Sequence, residues 1–165
     1  MQTGDFKPLE GGCTCRAIRY RLERAPMFVH CCHCRWCQRE TGASFALNIL
    51  IEADEVTPLA GTPVSVAVPT QSGKGQNIFR CAHCQVAVWS HYAGAGPAVN
   101  FVRTGTLDDP DRIRPDIHIY TGSKQPWVAL APEVPAVPGY YRREEYWPAQ
   151  SIERLEAARA RLAGG

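Results

Sequence analysis

His30-Cys31-Cys32-His33-Cys34-Arg35-Trp36-Cys37 carries four of the eight cysteines in the chain, and the rest of the sequence is read from its spacing. In an extended strand alternate side chains share a face, so Cys32 and Cys34 point together while Cys31 and His33 point away. A turn at Arg35-Trp36 then returns Cys37 to their side as a CxxC knuckle. Three thiolates this close are one ligand short of a tetrahedron, and a zinc site with an open position is the kind that does chemistry. On this reading Cys31 is a small buried apolar residue, and His30 and His33 are not ligands.

Working outward, Cys13 and Cys15 form a CxC pair and Cys81 and Cys84 a CxxC pair. Together they make a complete four-thiolate set, the structural type of zinc site. Spacing also permits Cys13 and Cys15 to join Cys32 and Cys34. Local convergence of Cys32, Cys34 and Cys37, at no loop-closure cost, favours the division into four and three. Spacing also leaves open iron or an iron–sulfur cluster on four thiolates, but zinc is the expectation. Adjacent and CxC cysteines bridge badly with each other, and Met1 to Gly12 has no apolar run of the signal-peptide kind, so a disulfide framework is not expected and a cytoplasmic location is. A thioredoxin-like CxxC lacks its βαβ context.

The length of 165 residues suits one domain with its own core. The expected layout is a polar lead-in over 1–10, a zinc-binding domain over 11–130, and a Pro-rich segment and C-terminal helix over 131–165 packed on that domain. High Gly and Pro content, 14 and 13 residues, points to many turns and short strands. Ile18, Tyr20 and Leu22 alternate as the buried side of one strand, and Ser44 to Ile51 alternates likewise. Val56 to Leu59 and Val64 to Val68 read as a strand pair joined through Gly61. Gln76 to Phe79, Val86 to Tyr92, Ala98 to Val102 and Ile117 to Tyr120 are further strands. Gln38 to Thr41 finishes a short helix terminated by Gly42. Ser151 to Leu162 is helical, with Ser151 as cap and Ile152, Leu155 and Leu162 on one face. Trp127 reads as core or pocket wall. The chain is mainly β.

No apolar run is long enough for a membrane span. Seven metal-bound thiolates and two Zn²⁺ would move the formal charge from +2 to −1, and Lys and Arg are scattered, so there is no electrostatic case for nucleic acid.

With these residues in hand the sequence resembles the glutathione-dependent formaldehyde-activating enzyme family, whose domain is shared with centromere protein V. The resemblance rests on Gly11-Gly12-Cys13-Thr14-Cys15, on Cys32 through Ala43, on Phe79-Arg80-Cys81-Ala82-His83-Cys84, and on Gly105 through Pro110 followed by His118 and Ser123-Lys124-Gln125-Pro126-Trp127. It implies a β-tent fold of small antiparallel sheets around zinc sites. It further implies a structural zinc on Cys13, Cys15, Cys81 and Cys84 and a catalytic zinc on Cys32, Cys34 and Cys37. Many members place Gly after each structural pair, where this chain has Arg16 and Gln85.

The activity so implied is addition of glutathione, or a similar thiol, to formaldehyde or another small electrophile, a carbon–sulfur lyase type of reaction run toward synthesis. A zinc already holding three thiolates is a weak Lewis acid, so cations are needed nearby. Arg35, Arg39 and Lys124 are the candidates, with His118 as a further substrate-side group. The ordinary alternative for each is a solvated or packed position. The partner is a small thiol, with a homodimer as the assembly to test. The rival class is a non-catalytic binding module in which both zincs are structural.

Overall fold

The computed structural model describes residues 6–70 and 72–164. Two sheets carry the chain. Strands β1 (Leu9–Gly12), β2 (Arg19–Leu22) and β5 (Val56–Ala60) form a small antiparallel sheet. The larger sheet has the order β10-β3-β4-β9-β8-β7-β6, from β3 (Phe28–Cys32), β4 (Ala46–Glu52), β6 (Val64–Val68), β7 (Gln76–Arg80), β8 (Ala87–Tyr92), β9 (Val99–Arg103) and β10 (Ile117–Ile119). All its pairings are antiparallel except β10 with β3. Helix α1 (Arg35–Thr41) follows β3, and α2 (Arg143–Tyr146) and α3 (Ala149–Ala163) close the chain. Among the described residues no helix is long and apolar enough to cross a membrane.

The centre of the large sheet is buried on both faces, because its alternating residues feed two separate cores. Phe28, Cys32, Leu50, Val99 and Phe101 face one core, which Leu155 and Ala158 of α3 cover. Val29, Ile49, Ile51 and Val102 face the other, which Leu9, Tyr20, Leu22 and Val56 of the small sheet cover. Strands buried on both sides read as near-continuous apolar runs. That is why the Ser44-to-Ile51 alternation does not resolve into a wet and a dry face: Ala46, Asn48, Ile49, Leu50 and Ile51 are all buried, while Phe45 is exposed.

The two strands flanking Gly61 do not pair with each other. The chain turns there at positive φ. Val56–Ala60 joins β2 in the small sheet, and Val64–Val68 joins β7 at the edge of the large one. Periodicity gives a strand but not its neighbour, and here two sheets compete for partners.

At the C-terminus, α3 begins after Pro148 rather than at Ser151. Ser151 lies inside the helix and donates its hydroxyl to the Met27 carbonyl at 2.7 Å. The buried face is Ser151, Arg154, Leu155 and Ala158, and Leu162 is exposed. Arg154 donates from Nε and Nη2 to the two carboxylate oxygens of Glu52 at 2.7 and 2.6 Å, tying α3 to the end of β4. Trp127 is 74 % exposed, so it is neither core nor pocket wall.

A candidate thiol centre and its pocket

None of the eight cysteines is joined to another in a disulfide. The Sγ atoms of Cys13, Cys15, Cys81 and Cys84 lie within 4.8 Å of one another. Two similar turns bring them there. Cys13 N–H bonds Ile18 O at 3.1 Å while its own carbonyl accepts from Arg16 N at 2.9 Å. Cys81 N–H bonds Val86 O, and its carbonyl accepts from Gln85 N, both at 3.0 Å. Arg16 and Gln85 sit at φ 61° and 60°, so the positions that hold Gly in many similar sequences are left-handed here as well. The Cys13–Cys15 and Cys15–Cys81 sulfur separations are 3.5 and 3.6 Å. Sulfurs at the corners of a tetrahedron with zinc–sulfur bonds of about 2.3 Å are about 3.8 Å apart, so the donor set fits one such ion. The division into four and three is the one that the fold brings together.

Gly11 is required here by close approach rather than by freedom. A Cβ on it would stand 2.6 Å from both Thr106 O and the Tyr20 hydroxyl oxygen.

The second set is Cys32, Cys34 and Cys37, again with sulfurs within 4.8 Å, all three buried. Cys34 is the N-cap of α1, and its Sγ accepts from the Cys37 N–H at 3.3 Å. Gly42, at φ 66°, terminates the helix in the left-handed region that favours glycine. Gln38 locks the helix in place by donating to His33 O at 2.7 Å and Ser123 O at 3.0 Å. The Cys34 thiol is drawn down to about 2, first by the Cys32 and Cys37 thiols hydrogen-bonded to it and then by backbone N–H groups of Cys37 and Trp36, against the effect of burial. Of the three, Cys34 is the thiol most readily held as a thiolate, while Cys34, Cys37 and burial push Cys32 up.

One cation meets that charge from below. Arg103, on β9, is 7 % exposed and donates from Nη1 to Asn48 Oδ1 at 2.6 Å and from Nη2 to Ser90 Oγ at 3.4 Å. The Cys37 thiol stands at about 11: Cys32 draws it down, Cys34 and burial push it up, and the Arg103 charge opposes that rise.

Above the three thiols lies a cavity of about 450 Å³, with Cys32, Cys34 and Cys37 in its lining. Trp36, Tyr92, Tyr120 and Tyr140 contribute aromatic walls, and Lys74 and Arg143 contribute cations. This volume is within the ordinary range of small-molecule sites. Tyr120 is held at φ 56°, an uncommon conformation for a bulky residue. Burial holds the Tyr120 and Tyr140 phenols above their usual range, so both stay protonated at neutral pH. Two further lining residues are tied together through Tyr141: His30 Nε2 meets the Tyr141 hydroxyl at 2.5 Å, and Trp147 Nε1 donates to the same oxygen at 2.6 Å. A larger, more open cavity of about 770 Å³ borders Glu40, Arg80, Arg103, Thr104 and Asp111 and holds none of the thiols.

The four residues nominated from sequence for the substrate lie elsewhere. Arg35 and Arg39 border a separate shallow cavity with Gln38 and Gln125. Lys124 donates to Val128 O at 2.7 Å and Gln125 O at 3.2 Å. His118 is buried against His33 on the reverse face of β3. The residues that sequence reasoning missed are Lys74, Arg143, Tyr120, Tyr140 and Arg103. Only Arg103 left a signal, as a cation in phase with Val99 and Phe101 on the apolar side of a strand.

The family model described as glutathione-dependent formaldehyde-activating enzyme matches residues 8–123. A protein of Halomonas elongata provisionally named a glutathione-dependent formaldehyde-activating enzyme is 24% identical over 127 residues, 74% of this chain and 80% of that one. A crystal structure of a Rhodobacter sphaeroides protein is similar at a TM-score of 0.45 and 14% identity, covering 78% of this chain and 99% of that chain.

Proposed function

From the premise that the chain belongs to the glutathione-dependent formaldehyde-activating enzyme family, we propose that it is a zinc-dependent enzyme that forms a carbon–sulfur bond between glutathione, or a similar thiol, and formaldehyde or another small electrophile. With formaldehyde the product is S-(hydroxymethyl)glutathione, and the reverse direction is a carbon–sulfur lyase reaction. One observation carries the reading: of the two thiol clusters, the one that is a donor short is the one that opens on the 450 Å³ pocket.

In this reading Cys13, Cys15, Cys81 and Cys84 hold a structural zinc, and Cys32, Cys34 and Cys37 hold a second with one position left for the substrate. Zinc held by Cys32, Cys34 and Cys37 would supply Lewis acidity that favours the thiolate form of an incoming thiol. The remaining work belongs to the chain. Arg103 offsets the charge of the three thiolates from inside the fold. Arg143 and Lys74 are placed to receive carboxylates of the thiol substrate, a role that passes to them from Arg35, Arg39, His118 and Lys124. The aromatic walls exclude water. As the sulfur lone pair forms the S–C bond, the carbonyl π pair moves onto oxygen, which takes up one proton in place of the one the substrate thiol gives up, so the addition is proton-neutral. Tyr120 and Tyr140, as neutral phenols lining the pocket, are O–H donors for that developing alkoxide. All seven sulfur donors of the two clusters come from one chain, so this reading asks no ligand of a second copy. Glutathione as co-substrate accords with a cytoplasmic location.

The test is metal analysis of reduced protein followed by titration with glutathione, with and without formaldehyde. Two zinc equivalents and a thiol-dependent change confined to Cys32, Cys34 and Cys37 are expected. Tight retention of both metals with no response to thiol would leave a zinc-stabilised binding module in place of an enzyme.

A further inference from the structure

The reverse face of β3 carries a third convergence of soft donors. Cys31 and His33 point away from the three-thiol pocket, and the parallel register of β10 sets His118 directly opposite Cys31. The His33 N–H extends that pairing by donating to Ile119 O at 2.9 Å. Ligand atoms of the three residues lie within 4.8 Å of one another, and Cys31, His33 and His118 are only 3, 0 and 7 % exposed. Cys31 Sγ is 3.5 Å from His33 Nε2, and His33 Nε2 is 3.0 Å from His118 Nδ1.

We infer that Cys31, His33 and His118 form a buried three-coordinate site for a monovalent soft metal ion, Cu(I) by charge and ligand type. Bonds of about 2.0–2.3 Å place ligand atoms of a trigonal ion about 3.5–3.7 Å apart. Seating one therefore asks the donors to part by about half an ångström, within the reach of ring rotation. Thiolate and imidazole donors without carboxylate favour a soft ion. Burial then selects its charge. One thiolate and two neutral imidazoles around a monovalent ion sum to zero, whereas a divalent ion would leave one uncompensated positive charge in an apolar interior. Among the described residues no carboxylate bonds any of the three side chains.

Without metal, the Cys31 thiol carries one proton and a second lies between His33 Nε2 and His118 Nδ1. The exchange is balanced: the thiol proton goes to solvent, the shared ring proton moves to the outer nitrogen of the ring that holds it, and one monovalent ion takes their place. No electrons are transferred. The site is independent of the proposed reaction, because its donors face the opposite side of the strand from Cys32 and Cys34.

The test is anaerobic titration of the reduced, zinc-loaded protein with Cu(I) delivered from bicinchoninate, read by zinc content, proton release and imidazole ¹⁵N NMR. Through the first equivalent, zinc content should hold, one proton should be released, and the His33 and His118 ring nitrogens should shift while those of His83 and His91 do not. His118→Ala and Cys31→Ser should weaken uptake at least tenfold without loss of zinc. Zinc leaving in step with copper, or uptake with unmoved His33 and His118 signals, would overturn the proposal, and the NMR readout on the unaltered protein decides it even where a variant fails to fold. Zinc measured before copper is added reports on the two thiol clusters separately.

Discussion

Arg103 donates from its guanidinium to the side-chain oxygen of Asn48 at 2.6 Å, deep in the large sheet, and among the described residues no carboxylate pairs with it. A buried charge without a counter-ion is costly. The Arg103 charge acts on Cys37, whose thiol it lowers, and so on the Cys32, Cys34 and Cys37 cluster. Replacing Arg103 by Met, which keeps length and removes charge, should weaken metal at that cluster by roughly 10–100-fold, the effect of losing an outer support. Chelator competition should show the Cys13, Cys15, Cys81 and Cys84 set unchanged. Equal retention at both sets would remove Arg103 from this role.

Arg143 and Lys74 differ in exposure, and their variants should differ in effect. Lys74 is exposed, so Lys74→Ala should raise the KM for glutathione by no more than about fivefold, the scale of a surface ion pair. Arg143 is half-buried, with its guanidinium 5.4 Å from the Trp147 ring centroid, and Arg143→Ala should raise KM further. In both, kcat should hold, since the contact is made equally in ground and transition states. Steady-state kinetics with glutathione as varied substrate decides this, and a fall in kcat at constant KM would contradict it.

The Glu52–Arg154 pair is almost wholly buried, at 1 and 8 % side-chain exposure. Arg154→Ala leaves the Glu52 carboxylate without this partner inside the fold and should cost about 3–5 kcal/mol of stability. Replacing both residues with apolar ones should recover most of that loss. Urea unfolding of the single and double variants measures the difference.

Arg16 occupies a left-handed position, φ 61°, in the turn that carries Cys13 and Cys15. An L-residue there costs roughly 1–2 kcal/mol relative to the right-handed region, and glycine avoids that strain while losing more backbone entropy on folding. Arg16→Gly should therefore stabilise the protein by up to about 1 kcal/mol, and Arg16→Val should destabilise it. Thermal unfolding at constant zinc checks the sign.

Much of this was legible in the chain because its informative distances are short. Cys32, Cys34 and Cys37 are brought together by one strand end and one helical turn, and the αL cap at Gly42 follows from local backbone sterics. Ile18, Tyr20 and Leu22 announce a strand with a buried side, and all three are at most 4 % exposed. Alternation along Val56 to Leu59 and Val64 to Val68 gives two strands and suggests that they pair with each other, whereas Val56–Ala60 bonds β2, far back in the chain, and Val64–Val68 bonds β7, the next strand along. The missing pocket cations have the same cause: Lys74 and Arg143 lie on loop and helix segments whose approach to α1 depends on the whole sheet order.

By itself, the sequence determined a mainly β chain and two sets of sulfur ligands, because alternation along a strand and recurrence over a turn are properties of covalent geometry. Tertiary structure alone decided which charges face the thiols and what stands behind Cys31. A side chain's electrostatic surroundings are supplied by residues distant in the chain, here Arg103 from β9 and His118 from β10, and no local pattern encodes that distance.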